Sequence, residues 1–199
     1  FNLYNIMAAA GAAICLDAPL EAIRSGIENF ISVPGRMERI GRERNFTIVV
    51  DYAHTPDALE KALFSLRELS PRRLITVFGC GGDRDRNKRP MMGKIAAQLS
   101  ELVVVTSDNP RTERPEAIIA EIEEGVKSAG LKKISFSESL YRKGYFTVLD
   151  RFEAIQAALR MARSGDMVLV AGKGHEDYQI IGKQRIPFDD REKIKEALN

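Results

Sequence analysis

The sequence predicts an α/β domain, with a Rossmann-like, doubly wound and mostly parallel sheet and a C-terminal hairpin, preceded by two helices. Three observations predict it. Short, β-branched apolar runs at Phe46–Val50, Leu74–Phe78, Leu102–Thr106 and Met167–Val170 recur along the chain. Between them lie stretches of helical periodicity, roughly 10 to 15 residues each, the alternation of a parallel sheet covered by helices. Each run ends in a polar loop: Asp51 to Asp57, Phe78 to Pro90, Ser107 to Glu113, and Ala171 to Glu176.

In order, Leu3, Ile6, Met7, Ala10 and Ile14 fall at helical spacing, and Asp17-Ala18-Pro19 ends that helix. Leu20, Ile23, Ile27 and Phe30 mark a second. This pair has no strand of its own to cover, so residues 1–33 read as the end of a preceding domain and 34–199 as the domain proper. Ser32-Val33-Pro34-Gly35 is the linker signal. A short strand and turn are expected within Met37–Arg44. After the first long strand, Thr55 is a helix N-cap, Pro56 suits the first helical position and Asp57 complements the helix dipole. Leu59, Ala62, Leu63, Leu66 and Leu69 form the apolar stripe of that helix. Met91, Met92, Ile95, Ala96 and Leu99 mark the next, and Ile118, Ile119, Ile122 and Val126 the one after. Residues 130–145 are the least legible, with a strand expected at Lys133–Phe136 and another at Phe146–Leu149. Phe152, Ile155, Leu159 and Ala162 mark a helix. Gly182-Lys183 between two short apolar runs signals a hairpin, and a helix closes the chain over Asp189–Leu198.

Composition narrows the function. The 199 residues carry a net charge of +2 with acids and bases interspersed, which speaks against nonspecific nucleic-acid binding. No apolar run approaches the ~18 residues of a membrane span. The cysteines, Cys15 and Cys80, and the histidines, His54 and His175, lack metal-ligand spacing, so no metal site is expected and reduced thiols in the cytoplasm are. The chain starts at Phe1 in helical pattern, so an excerpt of a longer protein is expected.

Chemistry concentrates in the strand exits, which a parallel sheet gathers on one edge around Asp51, Gly79, Asp108 and Gly172. Phe-Gly-Cys-Gly-Gly-Asp-Arg-Asp-Arg-Asn-Lys-Arg-Pro, residues 78–90, has glycines that admit close approach and cations that neutralise an anion. Together the exits present both signs of charge, which fits an amino acid, or a nucleotide with an amino acid. Arginine supplies a planar fork for carboxylate or phosphate, and Glu176 or an aspartate receives an ammonium. A Walker A loop is absent, and the dinucleotide pattern fails where Arg84 replaces its last glycine. His54 reads first as positional and second as a base; His175 is open between the two. Cys80 has no orienting base and reads as packing.

Phe1-Asn2, Val33-Pro34-Gly35-Arg36-Met37-Glu38, Asp51 to Asp57, Gly79 to Pro90, Asp108-Asn109-Pro110-Arg111-Thr112-Glu113 and Ala171 to Tyr178 together resemble the Mur ligases of peptidoglycan synthesis. The resemblance implies that 1–33 is the end of a central ATP-binding domain and 34–199 the amino-acid-binding domain. ATP and Mg2+ would be held mainly by an upstream part, no catalytic residue or metal ligand would lie in this segment, and the segment alone would be inactive. By match, Asn2, Arg36, Asp51 and His54 would contact nucleotide. Arg84, Asp108, Asn109, Pro110, Arg111, Gly172 and Glu176 would bind the amino acid, with Arg84 as a carboxylate clamp. Arg86, Lys88 and Arg89 would stabilise the loop and its helix. Asp108-Asn109-Pro110-Arg111 resembles the branch that adds meso-diaminopimelate to a UDP-MurNAc-dipeptide, rather than L-lysine. The stretch Leu131–Tyr145 is longer than the family leads one to expect. Two alternatives stay open: a related amide ligase using lysine or glutamate, and a noncatalytic Rossmann-type ligand-binding module.

Overall fold

The computed structural model describes residues 2–30, 32–41 and 43–199; the side chain of Asn2 lies outside the described residues. The chain divides into two compact units, Phe1–Ser32 and Val33–Asn199. The first consists of α1 (Asn2–Cys15) and α2 (Leu20–Glu28). Pro19 precedes α2 with its ring-fixed φ of −59°, ending the turn after α1. A pair of helices is too small to bury both apolar stripes, and Leu3, Tyr4, Met7, Ile14 and Leu20 are more than half exposed.

The second unit is built on a six-stranded sheet of order β1-β2-β6-β3-β4-β5, formed by β1 (Glu38–Ile40), β2 (Thr47–Asp51), β3 (Leu74–Phe78), β4 (Leu102–Val105), β5 (Gly144–Thr147) and β6 (Met167–Ala171). Only β1 runs antiparallel to its neighbour. The inner strands are apolar on both faces, as a doubly covered parallel sheet demands. Leu74 and Phe78 of β3 pack on one side, with Leu63 and Leu66 of α3 (Pro56–Glu68), Met92 of α4 (Lys88–Leu99) and Ile122 of α5 (Pro115–Ser128). Ile75 and Val77 pack on the other, with Ile155 of α7 (Arg151–Met161) and Ile194 of α8 (Asp190–Leu198). Burying one such leucine or isoleucine is worth roughly 1.5–3 kcal/mol, so these faces hold the sheet between its helices.

Capping follows the expected chemistry. Thr55 accepts from the amide of Ala58 and Pro56 opens α3. α5 starts at Pro115, and Asp150 caps α7 through the amide of Glu153. The 130–145 region differs from expectation. Lys133 makes a single bridge to Tyr145, and no strand follows it; instead Ser135 and Glu138 form a reciprocal capping box that opens α6 (Phe136–Ser139). β5 begins at Gly144, two residues before the expected start, and Ile134 packs where a side chain at 144 would stand. The hairpin is β7 (Tyr178–Ile181) and β8 (Gln184–Pro187), antiparallel and separate from the main sheet. Among the described residues no helix is long and apolar enough to cross a membrane.

Candidate functional site

β2, β6, β3 and β4 lie side by side and parallel, so their carboxyl ends deliver four loops to one edge. The loops interlock. Gly82 donates its amide to the carbonyl of Asn109, and a Cβ at Gly82 would lie 1.9 Å from the carbonyl oxygen of Pro110. Only glycine permits that approach. Asp83 caps the next turn, accepting from the amide and hydroxyl of Thr112, while its own amide donates to Glu113.

Asp108, Asn109, Gly172 and Glu176 come together as expected, around a residue with no assigned role, Lys173. Its ammonium is fully buried, 3.2 Å from Glu176, 3.4 Å from Asn109 Oδ1 and 3.7 Å from Asp108. Asn109 donates through Nδ2 to Glu176 Oε2 at 3.0 Å and accepts at Oδ1 from the amide of Ile180. Gly172 has φ +115°, and a side chain there would meet the Asp108 carboxylate. Burial pushes the Asp108 carboxyl above the usual aspartate range, opposed by the Arg151 and Lys173 charges. Arg151 is itself buried in a two-bond pair with Asp190, at 2.8 and 2.7 Å, and donates to the carbonyl of Ala171. The network therefore extends beneath the site to the start of α8.

Arg111 has a left-handed backbone, φ +53°, unusual for a residue with a side chain. The hairpin holds it there: Arg111 donates its amide to Ile180 and accepts from Gly182. Its guanidinium donates to the carbonyl of Gly82 at 2.8 Å. Gly81 lies between Arg111 and Arg84, within reach of both side chains. Arg84 itself is exposed, and among the described residues it donates only to the carbonyl of Asp83. It makes no bond to Asn109 or Glu176.

The residues expected at the nucleotide gather around Tyr52, which carried no assigned role. The Arg36 guanidinium lies 4.8 Å from the centre of its ring, and the rings of His54 and His175 lie 4.5 and 5.0 Å from it. Its hydroxyl reaches Glu176 at 3.4 Å, so Tyr52 links the two groups of residues. Burial and the Glu176 charge push that hydroxyl's pKa up. Gly35 and Gly174 pack backbone on backbone, which brings Arg36 to Tyr52. Asp51 is buried and accepts from the Met37 amide at 2.8 Å; burial raises its pKa. The fourth residue of this set, Asn2, falls on a side chain outside the described residues.

The loop cations take the supporting roles expected of them. Lys88 donates to the carbonyl of His54 at 2.8 Å, and Arg86 donates to Glu121. Arg89 is buried against Glu113 and Glu121. Burial pushes the Cys80 thiol up to about 12, which makes it a packing group. Among the described residues no three His, Cys, Asp or Glu side chains are placed to hold a metal ion, so no step involving Mg2+ is assigned to them.

The arrangement is a mixed-sign site. Glu176 supplies an anion braced by an amide and an ammonium, and Arg111 and Arg84 supply cations across Gly81. Residues 35–174 match the family model described as Mur ligase, glutamate ligase domain. A UDP-N-acetylmuramoyl-L-alanyl-D-glutamate–2,6-diaminopimelate ligase from Geobacter metallireducens is 54% identical over 201 residues, covering 100% of this chain and 39% of the relative. Its counterpart in Geobacter sulfurreducens is 53% identical, with 100% and 40% covered. A solved structure of a ligase of that name superposes with a TM-score of 0.72 at 43% identity, over 99% of this chain and 38% of the other. The chain thus spans about two fifths of the length of the relatives it matches.

Proposed function

The chain belongs to the Mur ligase family, and from that membership we propose that it is the C-terminal part of an ATP-dependent ligase adding meso-diaminopimelate to UDP-MurNAc-L-Ala-D-Glu. ATP converts the peptide carboxylate into an acyl phosphate, releasing ADP. The amine of the incoming amino acid attacks the acyl carbon, and phosphate leaves as the amide forms. In this reading residues 34–199 position the amino acid. The exposed apolar residues of α1 and α2 support assigning 1–33 to the central ATP-binding domain. ATP and Mg2+ would be held mainly by residues outside this chain, and the chain alone would not ligate.

The observation that carries the reading is the pairing of a braced carboxylate with a fixed guanidinium. Glu176 is held by Asn109 and Lys173, and Arg111 is held by Gly82 and the hairpin. Diaminopimelate has an ammonium and a carboxylate at its far end, which match these two charges. Lysine lacks that carboxylate and would leave a cation unpaired. Chemistry of this kind depends on positioning and charge neutralisation, which is what braced side chains provide. Arg36, His54 and Tyr52 form a cationic and aromatic surface for the nucleotide side.

The test is a kinetic comparison in the full-length ligase. Arg111→Ala should lower kcat/KM for meso-diaminopimelate by about 100-fold, the worth of a lost charge-assisted pair. Its kcat/KM for L-lysine should change little. Unaltered kinetics with diaminopimelate would remove Arg111 from the site and the specificity argument with it.

A further inference from the structure

A cleft of about 500 Å³ opens at the opposite, amino-terminal edge of the sheet, away from the converged loops. It is lined by Arg72, Arg73, Arg142, Lys143 and Arg163, with Glu101 as its carboxylate. The chain as a whole is close to neutral, at +2, so this concentration of cations is local. One wall comes from the Leu131–Tyr145 connection, the segment that the ligase reading leaves without a role.

Two of the five cations serve the fold. Arg73 is committed to Asp166 and to the carbonyls of Ser139 and Met161. Lys143 pairs with Glu101 at 3.0 Å, and that carboxylate is already shared with Arg67 and the amide of Leu74. The others are differently placed. Among the described residues Arg142 reaches only an exposed Glu138, at 3.6 Å. Among the described residues no carboxylate pairs with the guanidinium of Arg72 or of Arg163. Arg163 instead lies over the ring of Tyr141, 5.4 Å from its centre. Their backbones are nonetheless fixed. The amide of Arg72 donates to Gly165 at 2.9 Å, and that of Arg163 to Asp166 at 2.9 Å.

Like charges on rigid, adjoining turns repel. Planar guanidinium forks on fixed backbones are the usual recognition chemistry for phosphate. The volume suits a small molecule. We propose that this cleft is a second binding site, for a soluble phosphate-bearing small molecule, with Arg72, Arg142 and Arg163 as its ligands. The proposal is independent of the ligase reading.

The probe is inorganic pyrophosphate, titrated calorimetrically into the full-length protein at low salt. One saturable site per chain is expected in addition to any nucleotide site. Arg72→Gln/Arg163→Gln should weaken it by about tenfold or more for each guanidinium removed. Arg36→Gln, at the other edge, should leave it unchanged. Should the double variant fold poorly, Arg142→Gln alters a side chain 73% exposed and should still weaken binding severalfold. Absence of a saturable site overturns the proposal, as does a site that survives the double variant. So does binding to phosphatidylglycerol vesicles without binding to pyrophosphate, which would make the cleft a lipid-headgroup site.

Discussion

Arg89 and Lys173 are both fully buried at the carboxyl edge of the sheet, and they are held in opposite ways. Arg89 donates from Nη1 to Glu113 at 2.9 Å and Glu121 at 2.8 Å, and from Nη2 to Glu113 at 2.8 Å and the carbonyl of Gly81. This two-pronged geometry fits a guanidinium and ties the loop after β3 and the start of α4 to α5. Lys173 is shared among three acceptors at 3.2 to 3.7 Å, none of them at ideal distance. One oxygen of its partner Asp108 has no hydrogen-bond partner. A cation held through both of its terminal nitrogens is a clamp, even with its buried Nε left without a partner among the described residues. A cation with long, divided bonds leaves its partners free to redistribute, as a site must when a ligand brings its own charges.

The comparison is tested most strongly at Arg89. Arg89→Met keeps the bulk of the stem and removes the charge, leaving Glu113 without its guanidinium and Glu121 paired with the exposed Arg86 alone. A broken buried pair costs 3–5 kcal/mol, and since both carboxylates retain partial solvent contact a loss of about 3 kcal/mol is expected. Urea unfolding should show it as a lower midpoint at unchanged slope. Lys173→Met should cost less, about 1 kcal/mol, because its weak contacts return little beyond the cost of burying the ammonium. In the full-length ligase the same substitution should raise KM for the amino acid, since Glu176 and Asn109 lose their brace. Equal stability losses in the two variants would mean that Lys173 is also a clamp, and the distinction would fall.

Much of this edge is legible in the sequence. Asp51, Gly79, Asp108 and Gly172 follow apolar runs, and a parallel sheet leaves no choice but to bring them together. The capping of α3 by Thr55 and Pro56 is equally local. What is not legible depends on contacts between distant segments. Tyr52 becomes a hub only because Gly35 meets Gly174, and Asn109 is fixed by the Ile180 amide of a hairpin 71 residues away. Lys173 reads as one more loop cation until its burial is known. α6 is a different case, since the Ser135-x-x-Glu138 signal is present in the sequence. The apolar residues Ile134 and Phe136, which alternate as in a strand, compete with it, and the capping box wins.

Acid separates the two cations more finely. The Arg89 guanidinium donating to Glu113 brings that carboxyl down from the ordinary 4.5 to about 2. A depressed carboxylate stabilises the fold fully above its unfolded pKa and loses that contribution as pH falls through the folded value. The stability gap between wild type and Arg89→Met should therefore be complete above 4.5 and narrow steadily toward about 2. Asp108 beside Lys173 has the opposite sign. Burial raises its pKa, so its titration favours the fold below the unfolded value of 3.8 and opposes it as pH rises through the folded one. Acid thus weakens the Arg89 clamp without a matching loss at Asp108. Chemical denaturation of wild type and Arg89→Met across this range reads the difference directly. If the gap stays constant on acidification, Arg89 stabilises through the packing of its stem rather than through its carboxylates.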